Sequence, residues 1–564
     1  MTTVSTRVAD AISAHVTDVF GVMGNGNAHF IDALFAMPGH PVSYTAVRHE
    51  TASVAAADAY YRASGRLAVA TVTYGAGFTN MITALAEAVR ARTPLLVVVG
   101  DAPTTGQRQW DIDQVALASS LGATTFTVGS HDAGRTTIRA LEHAMNNRTA
   151  VVLAIPYDIA ATDADDEAWP RELHLAALQG PDADATDAAA RILAHAERPL
   201  IIAGRGAWLS GAGDALGDLA DLLGAVTAST ALGRGIFPRQ EFDLGVVGGF
   251  GQHDAMNLVK TADVVLIVGA GMNQFTMGFG SLVSPEAMLI RIDDEDGVTH
   301  PAVSQLLVGD ARLSVEALVA AVHTLGVTPS GWREGVPGLT TGGLRVRERG
   351  DEHLPDGLLD PRQLASRLAD LLPTDRLVVS DGGHFIGWAN TYWNVTAPNR
   401  MLMVGTAFQS IGLGFPSAVG ATVALPDSLL VVTTGDGGGL MALADLDSVI
   451  RSTRRGVIVV WNDAAYGAEV HVYGQMGLDK RPMMIERADF AGLARALGAH
   501  GDVIDTLDDL KRFETWLGSG DDGVYLLDCR ISPLVVAPFQ QEIYANTTAV
   551  HQPLRSTLSE LSSL

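Results

Sequence analysis

Two clusters of oxygen-bearing side chains stand close together in the C-terminal third of the chain. The first is Gly435-Asp436-Gly437-Gly438 and the second is Asn462-Asp463. Aspartate oxygens are hard donors of the kind Mg²⁺ selects, and Mg²⁺ usually shares its sphere with ligand phosphates. The glycines let the backbone come close to such a ligand. The elements that must position these groups are legible. The apolar run 429–434 reads as a buried strand. A helical pattern follows, with Leu440, Leu443, Leu446 and Ile450 on one side. A second apolar run, 457–461, ends at the second cluster. Two strands joined by a helix place both clusters at strand C-termini, where ligands bind in open parallel sheets. A Gly-Asp-Gly alone is an ordinary turn; the paired second cluster gives it meaning.

The stretch 429–466 resembles the diphosphate-binding signature of thiamine-diphosphate enzymes, specifically the acetolactate-synthase-like family of 2-oxo acid decarboxylases and carboligases. The resemblance implies that Asp436 and Asp463 bind Mg²⁺ through their side chains and Ala465 through its backbone carbonyl. It places Gly435, Gly437, Gly438 and Tyr466 around the cofactor. The family usually has Asn where this chain has Asp463. An Asp is still an oxygen ligand, and its extra charge beside a diphosphate bears on affinity.

The same resemblance extends towards the N-terminus. Strand-then-helix alternation over residues 1–165 argues for a doubly wound α/β domain. Its expected elements are a helix over 8–16 and strands over 19–22, 67–73, 95–99 and 150–155. Glu50 opens an Ala-rich helical pattern, where a first-turn carboxylate is favoured by the helix dipole. Set among FGVMGNGNAHF, VRHETASVAAADAYYRASG and TVTYGAGFTN, it resembles the catalytic carboxylate of the pyrimidine-binding domain. That role is to share a proton with the aminopyrimidine ring, whose imino form then deprotonates the thiazolium C2. Gly75, Gly77 and Asn80 then face the cofactor and Tyr74 lines the cavity. Asn25 reads equally as a turn residue and as a polar side chain facing substrate. Gln114 fits the active-site glutamine of acetolactate synthases, although Asp113 and Val115 replace the aromatic and acid that flank it there.

Residues 182–328 read as a central Rossmann-like domain, with strands over 200–203, 264–268 and 288–292. Its glycine turns at 203–208 and 268–275 lack a full dinucleotide fingerprint. The run expected of FAD binders is missing at 272–276, so FAD is not expected. Residues 329–360, rich in Gly, Pro and charge, read as a surface linker. Residues 361–542 form the diphosphate-binding domain, and 543–564 a polar tail carrying a short helix or disorder. A strand over 377–380 ends in Asp381-Gly382-Gly383-His384, where His384 reads as a phosphate contact or a solvated turn residue. In VGTAFQSIGLGF, the resemblance makes Ile411 the bulky residue that bends the cofactor and the Gln409 carbonyl an acceptor for its amino group. Glu469 falls where decarboxylases of this class carry a second acid.

The expected architecture is thus three doubly wound parallel-sheet domains in 564 residues. The formal net charge of −25 speaks against nucleic acid and anionic membrane as partners. Cys529 is the only cysteine, which excludes an intrachain disulfide. The N-terminal stretch has no secretory pattern, so a cytoplasmic location is expected. The resemblance implies thiamine diphosphate and Mg²⁺ as cofactors, a 2-oxo acid and a carbonyl acceptor as substrates, and a homodimer or homotetramer with active sites between subunits. Gln114 favours carboligation and Glu469 simple decarboxylation to an aldehyde. A cofactor-binding but inactive scaffold is the reading from another class.

Overall fold

The computed structural model describes residues 2–37, 42–164, 168–296 and 300–546. The tail expected after Asn546 lies outside them. Among the described residues eighteen strands form three six-stranded sheets, parallel throughout.

The first sheet contains β1 (Asp18–Gly21), β2 (Ser43–Ala46), β3 (Val69–Val72), β4 (Leu95–Asp101), β5 (Thr124–Thr127) and β6 (Ala150–Pro156). Its order is β2-β1-β3-β4-β6-β5. The second contains β7 (Pro199–Ala203), β8 (Val226–Ser229), β9 (Asp243–Val246), β10 (Val264–Val268), β11 (Met288–Asp293) and β12 (Val303–Val308), in the order β12-β11-β10-β7-β8-β9. The third contains β13 (Arg376–Ser380), β14 (Met401–Leu402), β15 (Leu429–Gly435), β16 (Arg455–Asn462), β17 (His500–Ile504) and β18 (Gly523–Arg530). Its order, β14-β13-β15-β16-β18-β17, repeats the connectivity of the first. In both, the chain reverses its direction of travel between the first and third strands. Such switch points open a crevice at the strand C-termini.

The first and third domains meet through two helices, Glu50–Ser64 and Gly414–Ala424. Both are built of small residues on the contact face, and they approach until a Cβ on Gly420 would lie 1.7 Å from the Ala56 carbonyl oxygen. One apolar core is therefore continuous across both domains, running from Phe20 and Val97 through Ala56 to Val419 and Val432.

Three expectations need correction. The helix expected after Gly435 is two, Asp436–Met441 and Ala444–Ser452, because the chain leaves helical geometry at Ala442. The N-terminal helix is Val4–Ser13, capped by the Thr3 side chain, and stops before the apolar Val16. The stretch 329–360 is more than a surface run. Leu339 is buried in the central core, Arg333 pairs with Asp221, and Arg347 donates to the Phe250 and Gly251 carbonyls. Among the described residues no helix is long and apolar enough to cross a membrane.

Candidate active site

At the switch point of the first sheet, the turn after β1 is held by its own Asn27 and by Thr73, which follows β3. Gly24 N–H donates to Asn27 Oδ1 at 2.8 Å, and Gly26 N–H donates to Thr73 Oγ1 at 2.9 Å. This leaves Asn25 exposed, donating to the Tyr74 hydroxyl at 2.8 Å. Glu50 is the first residue of its helix, after an N-cap in which His49 Nδ1 accepts from Thr51 N–H. Its Oε2 accepts from Asn80 Nδ2 at 3.0 Å, and a Cβ on Gly77 would stand 3.3 Å from its Oε1. Glu50, Gly77 and Asn80 are thus brought together. Gly75 takes a positive φ of 61° at the turn before Gly77, a conformation that glycine adopts without strain.

Gln114 opens the helix Gln114–Ser120 beside the Gly75 turn. It is buried, its Oε1 accepts from Gly75 N–H at 2.9 Å, and its Nε2 donates to the Gly100 carbonyl and Asp101 Oδ1. One end of the amide holds the Gly75 turn and the other holds the end of β4. Tyr74 lies under the Arg108 guanidinium, 4.1 Å from its centroid, and Tyr157 takes the same cation at 4.7 Å.

At the switch point of the third sheet, β15 and β16 run in register with Gly435 beside Trp461. That register sets Asp436 and Asp463 side by side. Both are buried. Asp436 Oδ1 accepts from Gly437 N–H, while its Oδ2 has no hydrogen-bond partner among the described residues. Burial pushes the Asp436 carboxyl up to about 6. Burial, and then the neighbouring Asp436 charge, push Asp463 up to about 8. Two buried carboxylates that repel each other, one with an orphaned oxygen, suit a divalent cation. Asp463 Oδ1 accepts from Ala465 N–H at 3.2 Å across Ala464, which is left-handed with φ 58°. Asn462 points elsewhere, donating to Asp528 Oδ1. The glycines form a tight cradle. A Cβ on Gly435 would strike Phe385, one on Gly437 would strike Tyr466, and one on Gly438 would strike Asp381. The residues present therefore fit a diphosphate held through Mg²⁺.

Asp381 is a site residue that sequence reasoning quoted but did not assign. It is buried at the end of β13 and accepts from the Gly382, Gly412 and Leu413 N–H groups and from Thr434 Oγ1. It ties the Gln409–Ile411 loop to the end of β15. The available signal was an Asp directly after a strand, before two glycines. In that loop Gln409 has a φ of 57°, and Ile411 Cγ2 lies over Gly382.

His384 is not a solvated turn residue. It is buried against His471, with ring centroids 4.4 Å apart, and its Nε2 accepts from Ala537 N–H at 2.9 Å. Burial, with His471 second, depresses it to about 3. The ring is neutral and offers a phosphate no positive charge. Tyr466 caps the helix Gly467–Val472, and Glu469 is exposed in its first turn. The Glu469 carboxylate makes no hydrogen bond or ion pair among the described residues.

In the central domain the two glycine turns close on each other. Gly206 N–H donates to the Gly269 carbonyl at 2.8 Å, and a Cβ on Gly269 would lie 2.2 Å from Ala207 N. Asp294, after β11, pairs with Arg92 and Arg148 of the first domain.

Known proteins share this order of domains. The descriptions of a thiamine pyrophosphate enzyme match in order: the N-terminal TPP binding domain over residues 2–119, the central domain over 186–318 and the C-terminal TPP binding domain over 381–529. The probable acetolactate synthase large subunit of Methanocaldococcus jannaschii is 27% identical over 561 residues, 95% of this chain and 93% of that protein. A probable acetolactate synthase of Mycobacterium bovis is 30% identical over 483 residues, 82% of this chain and 84% of that one. The thiamine diphosphate-dependent 4-hydroxybenzoylformate decarboxylase of Rhodococcus jostii RHA1 shares the fold, with a TM-score of 0.76 at 22% identity over 94% of this chain and 99% of that one. With three matched domains in sequence and a relative at 30% identity over most of its length, the chain belongs to the thiamine pyrophosphate enzyme family.

Proposed function

We propose that this enzyme uses thiamine diphosphate and Mg²⁺ to cleave a 2-oxo acid and pass the acyl unit to a carbonyl acceptor, as an acetolactate-synthase-like carboligase. The observation that carries the cofactor assignment is the buried Asp436–Asp463 pair with its orphaned oxygen. Likeness to acetolactate synthases along nearly the whole chain supports a reaction of this class.

Bound thiamine diphosphate supplies the carbon nucleophile and the electron sink that cleavage of a 2-oxo acid requires. The protein holds and orients it. Asp436, Asp463 and the Ala465 carbonyl take the cation, and Gly435, Gly437 and Gly438 admit the diphosphate. Glu50, kept in place by Asn80, would hold a proton against the pyrimidine ring nitrogen of a bound cofactor. The Gln409 carbonyl would accept from the amino group of a bound cofactor, and Ile411 would pack against it. Asn25 and Tyr74 face the donor. Gln114 acts through Gly75, as a positioning residue. Tyr466 backs the Gly437 turn, and His384 is a neutral wall beside it. The interlocked glycine turns of the central domain support a chain that works without FAD.

The active unit is a homodimer or a dimer of dimers, in which Glu50 of one subunit serves the Asp436 site of the other. The proposed location is the cytoplasm. A second reading, simple decarboxylation, is favoured by Glu469, an exposed acid in the first turn of the helix Gly467–Val472, just past Asp463. The scaffold reading is disfavoured by the intact Glu50–Asn80 pair.

The test is product analysis with pyruvate, thiamine diphosphate and Mg²⁺, with and without an acceptor aldehyde or 2-oxo acid. An acyloin or acetohydroxy acid supports the proposal. Free aldehyde as the sole product moves the assignment to Glu469 and decarboxylation. No turnover across a panel of 2-oxo acids overturns both.

A further inference from the structure

A buried ion network that the proposed chemistry does not use reaches the cofactor loop from the first domain. Glu87, in the helix Ile82–Arg90, is fully buried. Its Oε1 accepts from Arg62 Nη2 at 2.9 Å. Arg62 is itself held by both oxygens of Asp58 and donates to the Met403 carbonyl. The other Glu87 oxygen, Oε2, accepts from the backbone N–H of Phe408 at 2.7 Å.

Phe408 immediately precedes Gln409, the left-handed residue of the loop. A non-glycine residue in that region costs about 1–3 kcal/mol and persists only where its surroundings fix it. Packing within the chain does not fix it, because residues 406–409 are exposed on the single chain. Hydrogen bonds must do so. Thr406 Oγ1 donates to the Met403 carbonyl, and Ser410 N–H donates to the Gly405 carbonyl, both within the loop's own segment. The bond to Glu87 anchors the loop to another domain, and a carboxylate acceptor makes it one of the stronger kind. The reverse contact also exists. Asp445, in the helix Ala444–Ser452 of the third domain, accepts from Arg48 N–H at 2.9 Å, two residues before Glu50.

We propose that Glu87 is a positioning residue for the cofactor: through the Phe408 N–H it fixes the Gln409 peptide against the pyrimidine half of thiamine diphosphate. Glu87 touches neither substrate nor cofactor. The proposal rests on the reading, given above, that the Gln409 carbonyl receives the cofactor's amino group.

Two measurements test it without turnover. One is amide hydrogen exchange of the 405–412 segment in the apoprotein. The other is exchange of the thiazolium C2 proton of bound thiamine diphosphate, with Mg²⁺ and no substrate. Glu87→Ala is expected to deprotect the segment and slow C2 exchange about 10- to 100-fold. Glu87→Gln, which keeps an acceptor for Phe408 N–H, is expected to retain both. C2 exchange at the wild-type rate in Glu87→Ala overturns the proposal. So does equal slowing in both variants, which would point to the lost charge. Should Glu87→Ala not fold, Phe408→Pro removes the donor and leaves Glu87 paired with Arg62; wild-type exchange there also overturns it. A wild-type protein that binds no thiamine diphosphate, or whose C2 exchange does not depend on Glu50, refutes the underlying reading instead.

Discussion

Glu50 and Asp463 are the residues on which single substitutions should speak most clearly. Glu50 sits half-buried with Asn80 as its hydrogen-bond partner. Glu50→Gln keeps that contact and removes the exchangeable carboxyl proton. We expect turnover to fall about 10²–10⁴-fold while thiamine diphosphate still binds, as steady-state kinetics and fluorescence titration would show; unchanged turnover would end the catalytic assignment. Asp463 makes a prediction about the apoprotein. Its folded carboxyl, at about 8, lies above the ordinary carboxylate range. The folded state then retains a proton that the unfolded chain has released. Stability from this group is present at low pH and is lost as pH rises towards about 8. Asp463→Asn removes the effect. Thermal scans without metal from pH 5 to pH 9 should show the variant gaining on wild type as pH rises, and Mg²⁺ should narrow the gap. Parallel profiles would contradict the buried-pair geometry.

Elements explain what the sequence reveals and what it hides. The inner strands β4, β7, β10, β15 and β16 are covered on both faces, so they read as unbroken apolar runs and were legible. The edges of the three sheets, β2 and β5, β12 and β9, β14 and β17, were not. Ser43–Ala46 and Thr124–Thr127 are half exposed and polar, and Met401–Leu402 is too short to leave a pattern. The site divided in the same way. Asp436 and Asp463 announce themselves at the ends of legible strands. The work of Asp381 and Glu87 depends on chain segments far away in sequence, which no local pattern encodes. Gln114 was found by position, but its engagement with Gly75 and Gly100 needs the fold. The helix crossing yields its own prediction. Gly420→Ala puts a methyl into the Ala56 carbonyl, so the helices must part. A cost of about 1–3 kcal/mol is expected, seen as a lower denaturant midpoint; an unchanged midpoint would mean the helices are not so close.

On the scale of the whole molecule, the proposed site has two halves, one on the first domain and one on the third. Among the described residues no hydrogen bond or ion pair joins the Glu50 cluster to the Asp436 cluster. Exposed apolar side chains flank both: Met23, Trp110, Ile112 and Val115 on one side, Phe408, Met441 and Met484 on the other. Such patches mark contact surfaces, and a symmetric pair of chains would cover both at once. Light scattering should return a mass of two or four chains, and dilution to monomer should abolish turnover. A monomer with full activity would refute the shared site.

Gln409 and Ala464 are both left-handed without being glycine, and both border the proposed cofactor site. A thermostability screen would be drawn to them, since glycine at either position relieves strain. It would also return to the loop the freedom that a side chain denies it. Engineers who harden this protein at those two positions should therefore expect a tougher fold with a slacker grip, the familiar exchange between endurance and performance.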